Sequence, residues 1–333
     1  MRSQPNSQLI PLLMSDSQIK LVVINSFGPM GASLLASLVE KWGYSNFPMR
    51  LGPVLIEYLT GERDLSDPKL KASFRESFVN GSRRRSRGGL SVVDRDKRER
   101  SQLLDLATVV EELDTLDAVS FGSLAELYDA YRALYSRSIQ YKASRPLPGC
   151  HIELANGYEG YGETDLETAF RKHFSNVVFF HMTRDRNEWI ESRASQYMAH
   201  PDGGRDFRLG QALDQYDEYI ESISNLPGAK LDFEQLLIPN LSDTIKLITE
   251  VLAQSPLLAD FESEKFDVYG GVSDYRQAFT KKDRPGRYLS GGSRAIVALI
   301  CKTRMSRFWK SLVFYPVYWL ESLRNRELRG RKV

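Results

Sequence analysis

The sequence predicts an α/β fold in which a central parallel sheet is flanked by helices and carries a helical insertion. Three observations predict it. Short, nearly continuous apolar runs rich in β-branched and aromatic residues recur near 19–25, 150–155, 177–183 and 228–233, the pattern of strands buried on both faces. Segments with apolar residues at helical spacing lie between these runs, and strands alternating with helices imply right-handed β-α-β crossovers. The first run passes through a glycine-containing loop straight into a helix, as chains do at the carboxyl edge of a parallel sheet.

The chain up to Ser17 is polar and contains proline, and its only apolar stretch, Leu9 to Met14, is too short for a signal-peptide core or a membrane span. Residues 1–18 therefore read as a disordered leader. Ile19 to Ile24 is the first strand, Asn25 to Gly31 a loop with two glycines and a proline, and Ala32 to Trp42 a helix. Glycine lets a backbone approach a ligand closely, and a helix N-terminus offers an anion free N–H groups and the positive end of a dipole. Ser33 adds a hydroxyl. The run Gly28-Pro29-Met30-Gly31-Ala32-Ser33 lacks the lysine that precedes Ser/Thr in a Walker loop, which disfavours ordinary ATP or GTP hydrolysis. Glycine turns of this kind also serve purely steric ends.

Residues 81–100 form a basic loop: Gly81-Ser82-Arg83-Arg84-Arg85-Ser86-Arg87-Gly88-Gly89, then Asp94 to Arg100. It reads as a mobile, solvated linker, although a basic loop at a cleft rim could attract an anionic acceptor. The interval of about 100–145 reads as the helical insertion, with one apolar stripe from Leu103, Leu104, Leu106, Ala107, Val110, Leu113 and Leu116, and a second from Leu124, Leu127, Tyr128, Tyr131 and Leu134. Along the next strand His151 and Glu153 alternate, so they share a face and are the two candidates for a general base; Glu57 and Glu159 are further carboxylates near predicted ligand edges.

Val177 to Met182 is a buried strand that ends at Arg184, with Asp185 as N-cap of a helix whose apolar spacing runs through Trp189, Ile190, Ala194, Tyr197 and Met198. Ser192 follows Arg184 by eight residues, about two helical turns. A strand-end guanidinium and a helical hydroxyl that converge in this way form a phosphate clamp; the plainer alternative is a surface arginine paired with Asp185 or Glu188. Beyond a late strand near 228–233, Leu241 to Leu252 reads as a helix.

Residues 306–333 are aromatic and basic, with Phe308, Trp309, Leu312, Phe314, Tyr318 and Trp319 among arginines and lysines. Pro316 interrupts the apolar run, which is too short to span a bilayer. Peripheral docking at a membrane surface and packing against the body of the protein both fit this segment. Across the 333 residues, 45 Lys and Arg face 43 Asp and Glu, so the molecule lacks the field that nonspecific nucleic-acid binding requires and any basic site is local. Cys150 and Cys301 have no metal-like spacing, His173, His181 and His200 lack ligand spacing, and the low cysteine content reads as cytoplasmic with no metal.

Four segments, in order, resemble the sulfotransferases that use 3′-phosphoadenylyl sulfate (PAPS). Strand, Gly28-Pro29-Met30-Gly31-Ala32-Ser33-Leu34-Leu35 and helix resemble the loop that holds the 5′-phosphosulfate, and Arg184-Asp185 with Ser192 is similar to the family's 3′-phosphate site. Lys230 to Leu237 with the helix from Leu241 resembles the late strand and turn, and Arg284-Pro285-Gly286-Arg287-Tyr288 resembles the glycine-containing segment that covers the nucleotide. The likeness spans residues 19–305, which make up the predicted α/β domain. It implies a P-loop-like fold, PAPS as co-substrate, binding by Gly28, Pro29, Met30, Gly31, Ala32, Ser33, Leu34, Arg184, Ser192, Arg284, Gly286, Arg287 and Tyr288, and catalysis with Glu153 or His151 as base. The implied acceptor is a hydroxyl on a carbohydrate or another small molecule.

Two positions depart from the family. Pro29 stands where the loop carries a lysine or arginine, and Leu154, in Ile152-Glu153-Leu154-Ala155-Asn156-Gly157-Tyr158, stands at the lysine of an E-K-T-P-G-Y type segment. One preorganised charge stabiliser is typically worth about two to three decades in rate. Arg50, Arg284 and Arg287 are the candidate replacements. The departures leave a catalytically inactive nucleotide- or glycan-binding protein as the second reading, and a small-molecule kinase as a third.

Overall fold

The apolar run that opens the folded chain forms strand β1 (Lys20–Ser26), buried at every position from Leu21 onward. Burial on both faces is why the run is continuous rather than alternating. The computed structural model describes residues 19–46, isolated positions between 58 and 75, 102–104, 106–141, 146–156, 163–199, 209–258, 260–268, 271–280, 291–302 and 306–330. The leader 1–18, Arg50, Glu57, the basic loop 81–100, Gly157 to Glu159, His200 and Arg284 to Tyr288 lie outside the described residues.

The further strands are β2 (Ser45–Asn46), β3 (Gln102–Leu104), β4 (Ile139–Tyr141), β5 (Cys150–Asn156), β6 (Asn176–Thr183), β7 (Ala229–Asp232), β8 (Lys265–Val268) and β9 (Gly271–Asp274). The helices are α1 (Ala32–Val39), α2 (Leu106–Asp117), α3 (Leu124–Ser138), α4 (Glu163–His173), α5 (Arg186–Ala199), α6 (Leu209–Ser224), α7 (Leu241–Leu252), α8 (Tyr275–Phe279), α9 (Gly291–Lys302) and α10 (Arg307–Gly330).

Five strands make one parallel sheet in the order β2-β5-β1-β6-β7. β1 is central, in register with both neighbours: Val23 lies beside Glu153 and Phe179, and Asn25 beside Ala155 and His181. Alternate residues of β1 divide between two cores. Val22 and Ile24 pack with Leu35, Trp42, Trp189 and Phe314, while Leu21 and Val23 pack with Leu116, Tyr128, Phe170 and Phe179. Helices therefore cover both faces, as a parallel sheet requires.

The four expected strands and the helix from Leu241 are present, and α1 continues as a short 3-10 turn through Trp42. The insertion differs at its ends. Residues 102–104 and 139–141, read as helical, pair instead as an antiparallel two-stranded ribbon that closes the α2–α3 hairpin. The two ends of that hairpin return side by side, and their backbone groups are satisfied by pairing. Within the helices Leu113 and Leu116 of the first stripe and Leu124, Leu127, Tyr128, Tyr131 and Leu134 of the second are buried. At the C-terminus α10 runs through Pro316 without a break. Pro316 is exposed, so the carbonyl that loses its partner faces the solvent side, where water can bond it.

Candidate nucleotide site

The loop between β1 and α1 is built on two left-handed glycines, Gly28 (φ 65°) and Gly31 (φ 94°). The Met30 N–H donates to the Gly28 carbonyl at 2.9 Å, and the Leu34 and Leu35 N–H groups donate to the Gly31 carbonyl at 2.9 and 3.0 Å. No side chain caps α1, and its first turn holds no acidic residue. The first helical amides, at Ala32 and Ser33, have no intrahelical acceptor and carry the positive end of the helix dipole. Glycine at 31 is required twice over, since a Cβ there would meet Phe233 Cδ2 at 2.6 Å in addition to the strain of its φ.

Helix α5 grips this loop from one side. Arg184, one residue past β6, donates from Nη1 to the Pro29 carbonyl at 2.8 Å, and the Trp189 indole N–H donates to the Phe27 carbonyl at 2.7 Å. The two bonds bracket Gly28. Trp189 stacks on Phe27 with centroids 5.1 Å apart and packs on Tyr216 at 5.0 Å. Burial, helped by the charges of Asp185, Asp232 and Asp217, pushes the Tyr216 phenol up to about 12, so it stays a donor and bonds the Arg184 carbonyl. Asp185 caps α5, accepting from the Asn187 and Glu188 amides at 2.9 and 3.0 Å.

The Arg184 guanidinium lies 4.4 Å from the Phe233 ring centroid, and its Nη2 is 3.6 Å from Glu188 Oε2. Its Nε has no hydrogen-bond partner among the described residues. Ser192 is half-buried on α5, one turn beyond Glu188, so Glu188 stands between the two members of the expected clamp. Arg193 brings a second guanidinium to the loop: it lies over the Phe27 ring at 5.7 Å, and its Nη1 is 3.1 Å from where a Cβ of Gly28 would be.

Of the residues expected to bind nucleotide, Gly28 through Leu34 and Arg184 meet at this point. Met30, Ala32 and Leu34 contribute buried side chains, so their part at an anion is confined to the backbone. Phe233 and Arg193 were missed by sequence reasoning. Phe233 lies inside the Lys230–Leu237 segment, read as the late strand and turn, and the four-residue step from Trp189 to Arg193 is the signal that places that arginine beside the loop.

The two base candidates share a face of β5, as their alternation requires, but it is the face under the helical insertion. Glu153 is 0% exposed, and its Oε2 accepts from the Tyr128 hydroxyl at 2.6 Å and from Arg132 Nη2. His151 is 2% exposed with Nε2 2.7 Å from Asp129 Oδ1, and burial holds its pKa below the usual histidine range despite that carboxylate. Closed off from solvent, neither side chain reaches an acceptor hydroxyl in this conformation. Burial also pushes the Cys150 thiol up, which keeps it protonated.

The residues present fit a phosphate-bearing ligand. Ser26 Oγ at the end of β1 is buried with no partner among the described residues, and the positive α1 terminus, Arg184 and Arg193 surround the same loop. No group of three or more His, Cys, Asp or Glu able to hold a metal ion occurs among the described residues.

No protein-family model matches the chain, and no curated protein matches it. Among solved structures it is similar to a sulfotransferase domain from the curacin biosynthetic pathway, at 16% sequence identity and a TM-score of 0.42, over 72% of this chain and 76% of that one.

Proposed function

We propose that the chain binds PAPS across the loop 28–34 and Arg184, and transfers its sulfuryl group to an acceptor hydroxyl on a carbohydrate. One observation carries this reading: the 2.8 Å bond from Arg184 to the Pro29 carbonyl joins two segments, 155 positions apart in sequence, that resemble the two phosphate sites of one nucleotide. When bound, PAPS supplies an activated sulfuryl group on a phosphate leaving group. The amides of Ala32 and Ser33 hold the 5′-phosphosulfate with the help of the α1 dipole. Arg184 and Ser192 take the 3′-phosphate, Glu188 turning away as the anion enters; the covering role that the resemblance gives to Arg284 to Tyr288 falls outside the described residues.

Arg193 supplies the positive charge that Pro29 lacks. It approaches the loop at Gly28, next to the family's cation position, from a helix already fixed to the loop by Trp189. A rigidly held cation beside a leaving phosphate stabilises charge that grows in the transition state more than charge in the ground state. The carbohydrate acceptor rests on the habit of the family and on the aromatic residues available to stack on sugar rings.

Pro29 and Leu154 favour a second reading, an inactive binder of nucleotide or glycan. The experiment that separates them follows transfer of labelled sulfate from PAPS to a panel of polysaccharides and small hydroxyl compounds. The enzyme reading expects labelled product, and expects Arg193→Ala to cut turnover by about two decades while binding of the bisphosphate product changes only a few-fold. Tight bisphosphate binding without product on any acceptor selects the inactive binder.

A further inference from the structure

The long C-terminal helix α10 has two faces. On one, Phe314, Tyr318 and Glu321 are buried, and the Ser293 hydroxyl of α9 donates to Glu321 Oε1 at 2.5 Å. These contacts set the rotation of the helix about its axis. On the other face Phe308, Trp309, Leu312, Trp319 and Leu320 are 68, 54, 53, 62 and 60% exposed, and Leu323 extends the series. At 3.6 residues per turn these six positions fall within an arc of about 120°, one continuous apolar stripe along the helix. Its opposite side is the one that meets the core, so the stripe is held outward.

Charge decides what covers it. Between residues 304 and 332 the chain has eight Lys and Arg against two acidic residues, one of them the buried Glu321, in a protein whose formal net charge is +2. Arg307 and Lys310 stand at one end of the stripe, Arg324 and Arg326 at the other. Exposed tryptophan and phenylalanine between basic ends is the composition of a helix that lies in the plane of a bilayer, with its rings at the acyl boundary and its cations among anionic headgroups. No helix among the described residues is long and apolar enough to cross a membrane, so insertion parallel to the surface is the geometry that remains for this helix. A second copy of the chain on the stripe would set two like-charged fringes against each other.

We propose that the exposed stripe of α10 docks the protein on an anionic membrane surface. This inference stands independently of the nucleotide reading. The chain has four tryptophans, and Trp42 and Trp189 are fully buried, so a lipid-dependent change in emission reports Trp309 and Trp319. The test sediments the full chain with phosphatidylcholine vesicles that contain or lack phosphatidylserine, and repeats the mixing with brominated acyl chains. The expected results are co-sedimentation with the anionic vesicles alone, release at high salt, and a blue-shifted emission quenched by the brominated lipid. The double variant Phe308→Ser, Leu312→Ser changes only exposed positions, and lowers vesicle partition more than about tenfold. Absence of anionic-vesicle binding with unquenched emission overturns the proposal, as does equal binding to both vesicle types. So does a dimer in sedimentation equilibrium that Leu312→Arg dissociates.

Discussion

Glu188 lies 3.6 Å from Arg184 and one helical turn from Ser192, between the two residues proposed to take a 3′-phosphate. A carboxylate at an anion site opposes binding, yet this one also lies beside the guanidinium and holds it. Replacing it by the neutral isostere therefore removes more repulsion than support. Glu188→Gln is expected to tighten binding of 3′-phosphoadenosine 5′-phosphate several-fold, measured by calorimetry at moderate salt, and weaker binding by this variant would contradict the role given to Arg184. Residues also set a pH response. Burial lowers the pKa of both His151 and His181 below the ordinary histidine value of about 6.5. Below that pH the unfolded chain takes up protons that the folded chain refuses, so the stability from these two groups is complete above about 6.5 and is lost as pH falls through their folded values. The urea midpoint should drop between pH 7.5 and 5.5, and should drop less in a His151→Asn, His181→Asn variant; equal drops would refute the assignment. At this scale the sequence disclosed the residue types of the site but not their surroundings. Arg184 was legible because a strand end fixes where it sits, whereas Arg193 was not, because its place depends on how Trp189 seats α5 against Phe27.

Among the described residues, the contact between β5 and α3 carries the largest concentration of buried charge. Arg132 and Glu153 pair there at 2 and 0% side-chain exposure, with Tyr128 bonded to both and its ring 4.7 Å from the guanidinium. Removing one partner of such a pair strands the other in the core. Arg132→Ala is expected to cost about 3–5 kcal/mol in denaturant unfolding, and a loss below about 1 kcal/mol would show that the pair is not closed in solution. The same pairing explains why Glu153 was read as a base. A carboxylate on a strand beside a predicted ligand edge has the same sequence signature whether it meets substrate or an arginine on a helix 21 residues upstream. Regular elements were the most legible part of the chain. The buried strands announced themselves as continuous apolar runs, and α7 as a 3.6-residue period. What was missed is short or paired at a distance: β2 has two residues, β3 and β4 three each, and β8 and β9 four each, too few for any period to register. Pro316 misled because its effect depends on where the missing hydrogen bond faces, which only the seated helix reveals.

For the whole molecule, the sheet order puts β1 in the middle and sets its loop and Arg184 side by side at the carboxyl ends of adjacent strands, where parallel α/β sheets place ligands. The order β2-β5-β1-β6-β7 was not legible in the sequence, since period and composition identify strands without saying which ones pair. The site and the outward face of α10 are joined through one body, because α10 packs against both α5 and α6, the helices that carry Arg184's neighbours Trp189 and Tyr216. A membrane-docked chain would therefore hold the candidate nucleotide site in a fixed relation to the bilayer. The proposed function turns on whether the loop and Arg184 together bind a nucleotide with two separated phosphates. Calorimetric titration of the purified chain with 3′-phosphoadenosine 5′-phosphate, with AMP and ATP as controls, tests that most directly. The bisphosphate is expected to bind at least about tenfold more tightly than AMP, the worth of one charged hydrogen-bonded contact, and also more tightly than ATP. Equal binding of the bisphosphate and AMP, or no binding at all, would contradict the proposed function.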